Sequence, residues 1–228
     1  METFQKKAIA FFDVDGTLLS STIVHCYLWL RTSSMFSIQK LFWIIGFLPK
    51  IVYYLILDKI SRVRFNQVFY RNYRGMDATQ VKTLASDMFA NYLSQKIFPE
   101  AISQIEEHKA QGDYVVLLTG SLDFIVRPIA EHFGVDAVLA AKLSEHAGKF
   151  TGELTTEPLI GEQKAIAMKK FAKQAGISLD VCYAYSDSKS DLPMLDCVGN
   201  PIAVNPSKAL RKLALETDWE IHEWMKAT

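Results

Sequence analysis

Four short apolar runs, each ending in small polar or acidic residues, constrain the fold of this chain more than any other feature. Ala8-Ile9-Ala10-Phe11-Phe12 leads into Asp13, and Tyr114-Val115-Val116-Leu117-Leu118 leads into Thr119-Gly120-Ser121. Val181-Cys182-Tyr183-Ala184-Tyr185 precedes Ser186-Asp187-Ser188, and Ile202-Ala203-Val204 precedes Asn205-Pro206. An uninterrupted apolar run predicts a strand covered on both faces, the signature of a parallel sheet. Helix-like stretches at residues 101–111, 123–133 and 162–175 separate the runs. The alternation predicts an α/β fold, a Rossmann-like, doubly wound parallel sheet. Ligands of such sheets bind outside the carboxyl ends of the strands. Three strand ends carrying Asp, Thr and Asp therefore converge on one crevice.

Residues 21–91 break this rhythm. They are rich in aromatic and large apolar side chains and carry few strand or turn signals. They predict an all-helical cap domain inserted into a core made of residues 1–20 and 92–228. Within the insertion, residues 41–57 are almost long enough to span a bilayer. Pro49-Lys50 interrupts them, which predicts two short helices joined at residues 47–50. The outer faces of such helices suit a membrane surface, with Trp43, Tyr53, Tyr54, Lys50 and Lys59 near the headgroups. A cap packed on itself and a homodimer interface fit the same composition. Glu145-His146-Ala147-Gly148-Lys149 reads as a hairpin extending an edge of the sheet.

Lysine plus arginine equal aspartate plus glutamate at 25 each, so no basic excess marks a nucleic-acid binder. The three cysteines, Cys26, Cys182 and Cys197, are widely spaced, with no metal or disulfide spacing. They fit a reducing cytosol, with Cys182 as a buried, inert thiol. The first residues, Met1 to Lys7, run into a short apolar segment unlike an export signal. The expectation is a cytoplasmic protein, possible at the inner membrane surface through its cap.

The chemistry-bearing residues sit at the strand ends. Asp13-Val14-Asp15-Gly16-Thr17 places two carboxylates two residues apart after a buried strand. Asp13 is positioned to attack phosphorus and Asp15 to protonate a leaving oxygen and then activate water. A capped turn uses the same residue types. Thr119 and Gly120 offer a hydroxyl and an approachable backbone N–H for phosphate oxygens. Lys164, near the start of a helix, suits the charge of a phosphoryl group. Asp187, with Asp13 and the backbone carbonyl of Asp15, forms a set that magnesium accepts. Asp191 is placed to orient Lys164 or waters around that set.

Taken together and in this order, these motifs resemble the haloacid dehalogenase superfamily, specifically its phosphatases. The dehalogenases lack the second aspartate, and the transport ATPases carry threonine where Asp15 stands. Residues 119–143, Gly148-Lys149-Phe150-Thr151-Gly152 and residues 186–214 are similar to the phosphoserine-phosphatase-like branch, subfamily IB, whose helical C1-type cap follows the first motif. Asp191-Leu192-Pro193-Met194-Leu195 and Val204-Asn205-Pro206 are close to a branch containing lipid-phosphate members. The resemblance implies a Mg²⁺-dependent phosphomonoester hydrolase working through an aspartyl phosphate. It implies Asp13 as nucleophile, Asp15 as acid and base, Thr119, Gly120 and Lys164 at the phosphate, and Asp187 at the metal. Phosphoserine phosphatases carry a cap acid soon after the first motif, whereas Leu19-Ser20-Ser21-Thr22-Ile23-Val24 offers hydroxyls and no carboxylate.

The departure and the apolar cap incline the expected substrate toward a lipid phosphate, such as phosphatidylglycerophosphate or lysophosphatidate. A phosphatase of a small soluble metabolite, phosphoserine-like, is the alternative. A non-catalytic, membrane-associated binding protein is a third reading. The expected partners are a phosphorylated small molecule or lipid, with peripheral membrane contact or a homodimer through the cap.

Overall fold

A computed structural model of the chain describes residues 6–226. Most of the N-terminal stretch used above to argue against export, residues 1–5, lies outside the described residues. The chain opens with strand β1 (Ile9–Phe12) and then enters four helices: α1 (Ile23–Thr32), α2 (Ser37–Ile60), α3 (Arg62–Tyr70) and α4 (Ala78–Met88). Helix α5 (Pro99–Gln111) returns to strand β2 (Tyr114–Leu122), followed by α6 (Asp123–Phe133) and β3 (Ala137–Ala141). A hairpin, β4 (Leu143–His146) and β5 (Lys149–Leu154), precedes α7 (Glu162–Ala175). The chain closes with β6 (Tyr183–Ser186), α8 (Leu192–Leu195), β7 (Asn200–Val204), α9 (Lys208–Glu216) and β8 (Glu220–His222).

The main sheet has six strands in the order β3-β2-β1-β6-β7-β8, all paired in parallel. Chain order runs outward from β1 in both directions, so the sheet is doubly wound and its switch point lies at β1 and β6. Successive strand residues alternate between two cores. Ile9, Phe11, Val116, Leu118 and Ala184 face Met168 and Ala172 of α7, Met194 and Leu195 of α8, and Leu210 of α9. Ala10, Phe12, Val115, Leu117 and Tyr185 face the opposite core, with Ala101 and Ile105 of α5 and Ile125 and Ile129 of α6. Both faces are covered, which is why the strands read as continuous apolar runs. Each large side chain so buried contributes about 1.5–3 kcal/mol.

Several sequence expectations need correction. The third apolar run begins its strand only at Tyr183, because residues Leu179–Val181 form a short 3-10 turn. Strand β2 does not stop at Leu118 but continues to Leu122, with a register shift against β3 between Thr119 and Leu122. The hairpin does not extend the main sheet; β4 and β5 form a separate two-stranded antiparallel sheet. That small sheet leans on the inserted helices, as Gly75 N donates to Phe150 O and Phe150 N to Met76 O.

The apolar cap segment is one helix, not two. Helix α2 runs through Pro49 for 24 residues. Its inward stripe holds it together across the proline: Phe47 stacks on Trp43 at 4.8 Å and packs on Tyr54 at 6.2 Å. Tyr27 and Phe69 close the cluster from α1 and α3. Tyr54 is buried, contrary to the expectation that it lies near headgroups, and Phe47 is buried beside it. The outward face is apolar instead, with Leu41, Phe42, Ile45, Leu48, Val52 and Ile56 all more than half exposed. By length and composition α2 is apolar enough to cross a membrane.

Candidate active site

Asp13 is the first residue beyond β1, and its N–H donates to Tyr185 O at 3.0 Å, extending the β1–β6 ladder. This fixes the backbone at the switch point and turns the carboxylate into the crevice. Asp13 Oδ1 accepts from Lys164 Nζ at 2.6 Å, and Oδ2 accepts from Thr17 Oγ1 at 3.3 Å. Thr17 Oγ1 also accepts from Asp187 N at 3.1 Å, tying the loop after β1 to the loop after β6.

Gly16 makes that closure possible. Its φ is +90°, and a Cβ there would stand 2.5 Å from Asp187 Oδ2. Only glycine combines this backbone with so close an approach. Asp15 faces β2, where Ser121 Oγ donates to its Oδ2. Ser121 N donates to Thr119 Oγ1 at 3.1 Å, a local turn made by the irregular end of β2. The cap reaches the same place: Tyr70 of α3 donates its hydroxyl to Gly120 O at 2.7 Å.

Lys164 lies in the first turn of α7, where the helix dipole disfavours a cation. Two carboxylates hold it there. Its Nζ donates to Asp13 Oδ1 and to Asp191 Oδ2, each at 2.6 Å, and its side chain is only 3% exposed. Asp191 also accepts from Ser186 Oγ at 2.8 Å. Burial works against the ammonium, but Asp13 and Asp191 outweigh it and keep it protonated.

The carboxylates are pushed the other way. Burial, then the charge of Asp13, raises Asp15 to about 6 against the Ser121 hydrogen bond. Burial, then Asp13, raises Asp187 to about 7, with Arg62 opposing. Burial also pushes Asp13 up, against the pull of Lys164. Three crowded carboxyls raised together describe a site short of one positive charge. Among the described residues no three His, Cys, Asp or Glu side chains cluster to hold a metal by themselves. Two carboxylates, Asp13 and Asp187, beside the Asp15 backbone are instead a set that suits magnesium, which keeps several waters and takes substrate oxygens. The cleft that Gly16 leaves for Asp187 fits that arrangement.

These groups open on one cavity of about 470 Å³. Asp13, Asp15, Thr119, Gly120, Lys164, Asp187 and Asp191, the residues singled out from sequence, all line it. The opposite wall belongs to the inserted helices: His25, Ile51, Tyr54, Leu55, Asp58, Arg62 and Asn66. Burial works against the Arg62 charge, but Asp58, Asp13, Asp187 and Asp191 together outweigh it. Ser121 stood out in sequence only as the last residue of the Thr119-Gly120-Ser121 run, with no role of its own. Cys26 and Cys182 are buried thiols pushed up by desolvation, which makes them inert.

A family model for haloacid dehalogenase-like hydrolases matches residues 10–196. A protein of Streptomyces azureus named for inhibition of morphological differentiation is 42% identical over 149 residues, covering 65% of this chain and 53% of that protein. This chain thus aligns with about half the length of the Streptomyces protein. A phosphoserine phosphatase of Mycobacterium tuberculosis is 31% identical over 223 residues, covering 95% of this chain and 71% of that protein. Among solved structures, a phospho-aspartyl intermediate analogue of phosphoserine phosphatase superposes with a TM-score of 0.70 at 22% identity, covering 95% of this chain and 93% of that one. That last likeness speaks for the fold, and the family match spans most of the core around the crevice. The chain belongs to the haloacid dehalogenase-like hydrolases and is a phosphatase of their phosphoserine-phosphatase-like branch.

Proposed function

We propose that this phosphatase hydrolyses small, soluble phosphate monoesters through an aspartyl phosphate on Asp13. One observation carries the mechanism: the Asp13 carboxylate is pinned by Lys164 at 2.6 Å at the floor of a cavity that also holds Asp15 and Asp187. In the first step an Asp13 oxygen bonds to phosphorus and the bond to the leaving alcohol oxygen breaks. Asp15, which burial favours in its protonated form, gives its proton to that oxygen. Asp15, now a carboxylate, takes a proton from water as the water oxygen bonds to phosphorus. The Asp13–phosphorus bond breaks and inorganic phosphate leaves. Lys164 stays charged throughout and holds Asp13 in place, while Thr119 and the backbone around Gly120 receive phosphoryl oxygens. Asp13, Asp187 and the Asp15 carbonyl would hold Mg²⁺, which when bound offsets charge on the phosphoryl oxygens.

A cavity of about 470 Å³ lies within the range of small-molecule sites. It supports a compact substrate, as does the relative's identity as a phosphoserine phosphatase. The lipid-phosphate expectation draws no support from the relatives. A second reading nonetheless rests on one feature: α2 exposes an apolar outer face, and its Ile51 and Leu55 also line the cavity. An amphipathic phosphate at a cytoplasmic membrane surface, or a second subunit, would use that face.

Hydrolysis of p-nitrophenyl phosphate with Mg²⁺, and its loss in EDTA and in Asp13→Asn, is the first test. Normal turnover by Asp13→Asn would overturn the mechanism. A panel of short metabolite phosphates and long-chain phosphates in vesicles then decides the substrate. Preference for the long-chain members would replace the small-metabolite reading with the second one. Binding of an aryl phosphate with no turnover under any condition would favour a non-catalytic role.

A further inference from the structure

Helix α2 is apolar on both sides, a pattern that belongs to helices covered all round. Of its described residues only Phe47 and Tyr54 are buried. Its 24 residues make a rod about 36 Å long on the outside of the cap. Phe42, Ile45, Leu48, Val52 and Ile56 recur every three or four residues along its outer side, and each is more than half exposed. The row continues to Ile38 and Ile60 at the helix ends, which are equally bare. A contiguous apolar strip on this scale marks an interaction surface rather than scattered exposure.

Charge says what the strip meets. Residues 31–64 hold six of the 25 lysines and arginines, all exposed, and one of the 25 aspartates and glutamates. This segment therefore carries +5, and the rest of the neutral chain carries −5. Between Leu41 and Leu57 the only charged residue is Lys50, which leans back over the Phe47 ring, 5.7 Å from its centroid. Lys40 and Lys59 stand near the two ends of the helix. The outer row is thus uncharged along its middle and bordered by cations, which suits the plane of a lipid surface with anionic headgroups. A second copy of this chain fits worse. Two-fold pairing sets the same patch against itself, which here brings +5 against +5. Spanning a bilayer fits worse too. The inner side of α2 is held by the cap, with Phe47 on Tyr27, Tyr54 on Phe69, and Asn72 Nδ2 donating to Tyr54 Oη at 2.7 Å.

We propose that the outer face of α2 docks this protein in the plane of an anionic lipid surface. Ile45, Leu48, Val52 and Ile56 enter the acyl boundary, and Lys40 and Lys59 meet the headgroups. Ile51 and Leu55 of the same helix line the cavity, so docking sets one wall of the active site beside the surface. The proposal names a partner, and it needs neither the hydrolytic steps above nor a lipid substrate.

The test is flotation of the full chain with vesicles of phosphatidylglycerol and phosphatidylcholine in equal parts, and with vesicles of phosphatidylcholine alone. Binding should be about ten-fold or more tighter on the mixed vesicles, since each cation at an anionic surface contributes roughly five-fold. Val52→Gln with Ile56→Gln should weaken that binding by about ten-fold or more, because both side chains leave the acyl boundary. Far-UV circular dichroism and hydrolysis of p-nitrophenyl phosphate should stay unchanged, as both residues are exposed and neither lines the cavity. Ile45→Gln with Leu48→Gln repeats the test on a second pair, should the first disturb the helix. Lys40→Gln with Lys59→Gln should weaken binding to the mixed vesicles and leave binding to phosphatidylcholine as it was. No binding to the mixed vesicles overturns the proposal. So does binding that survives both glutamine pairs on the apolar row, which is charge attraction without insertion. Sedimentation velocity reads the rival occupant: a dimer that the Val52→Gln and Ile56→Gln pair dissociates, and that binds no vesicles, assigns the face to a second copy. If the unmutated protein hydrolyses no p-nitrophenyl phosphate, the phosphatase mechanism fails by itself, and flotation still decides the role of α2.

Discussion

Replacing Gly16 with alanine tests how closely the two halves of the crevice are fitted. The added Cβ would lie 2.5 Å from Asp187 Oδ2 and 2.7 Å from Asp187 Cγ, while ordinary contact begins at 3.4 Å. The Asp187 carboxylate must therefore retreat by about 0.9 Å or the loop after β1 must shift as far. The backbone adds its own cost, because φ is +90° and a side chain there loses about 1–2 kcal/mol. For a chain of this length that lowers the melting temperature by about 2–8 °C. Magnesium tolerates little displacement of its ligands, and an error near 1 Å in a catalytic arrangement costs on the order of a hundred-fold in rate. Steady-state kinetics on p-nitrophenyl phosphate across a Mg²⁺ titration should show a kcat/KM about a hundred-fold lower and a higher Mg²⁺ requirement. Gly46→Ala is the control: nothing lies within 4 Å of its Cβ, and it sits inside α2. There alanine should stabilise by about 0.5–1 kcal/mol, with kinetics unchanged. If Gly16→Ala keeps activity within about three-fold at every Mg²⁺ concentration, in the face of the hundred-fold loss expected from displacement, Asp187 does not act where the structure puts it.

Other perturbations test the same framework from different sides. Lys164→Met strands Asp13 and Asp191 without their buried partner and should cost about 3–5 kcal/mol in urea denaturation; undiminished stability would show that the pair is not held as described. Mg²⁺ at about a hundred times its dissociation constant should stabilise the protein by about 2.7 kcal/mol, and Asp187→Asn should remove the rise in melting temperature. If calorimetry finds the same rise in Asp187→Asn, the cation binds elsewhere. His108 Nδ1 donates to Asp113 Oδ2 (2.9 Å), and its Nε2 shares a hydrogen bond with Tyr185 Oη (2.7 Å), in the core against β6. His108→Leu leaves both partners unmatched and should cost about 2–4 kcal/mol while the folded fraction keeps its kcat. A drop in kcat for fully folded protein would tie that network to catalysis.

The strand ends were legible because a buried parallel strand has a simple sequence signature. Phe11 and Phe12 face opposite cores, so the run before Asp13 had to be apolar at every position. The helices from Asp123 and from Glu162 were equally legible, since each ends at a glycine in the left-handed region, Gly134 and Gly176. Local rules were less reliable where tertiary contacts outweighed them. Pro49 predicts a break, yet the aromatic stripe of Trp43, Phe47 and Tyr54 carries α2 straight through it. The β4–β5 turn was visible, but its neighbour was not, because pairing with the main sheet and docking on the cap leave the same hairpin pattern.

The same division runs through the site. By itself the sequence determined that carboxylates, a threonine and a glycine stand at strand ends, since those positions follow from apolar runs and turn residues. It marked Lys164 through resemblance alone, for a lysine in a helix carries no local sign of burial. Only the tertiary structure decided that Lys164 lies between Asp13 and Asp191, that Asp187 rests against Gly16, and that Ser121 reaches Asp15. Only it placed Asp58, Arg62 and Tyr70 over the crevice. The reason is physical: strand ends converge because hydrogen-bonded register fixes them, whereas the cap meets the core through side-chain packing between segments about fifty residues apart, such as Tyr70 and Gly120, and no local pattern records that packing.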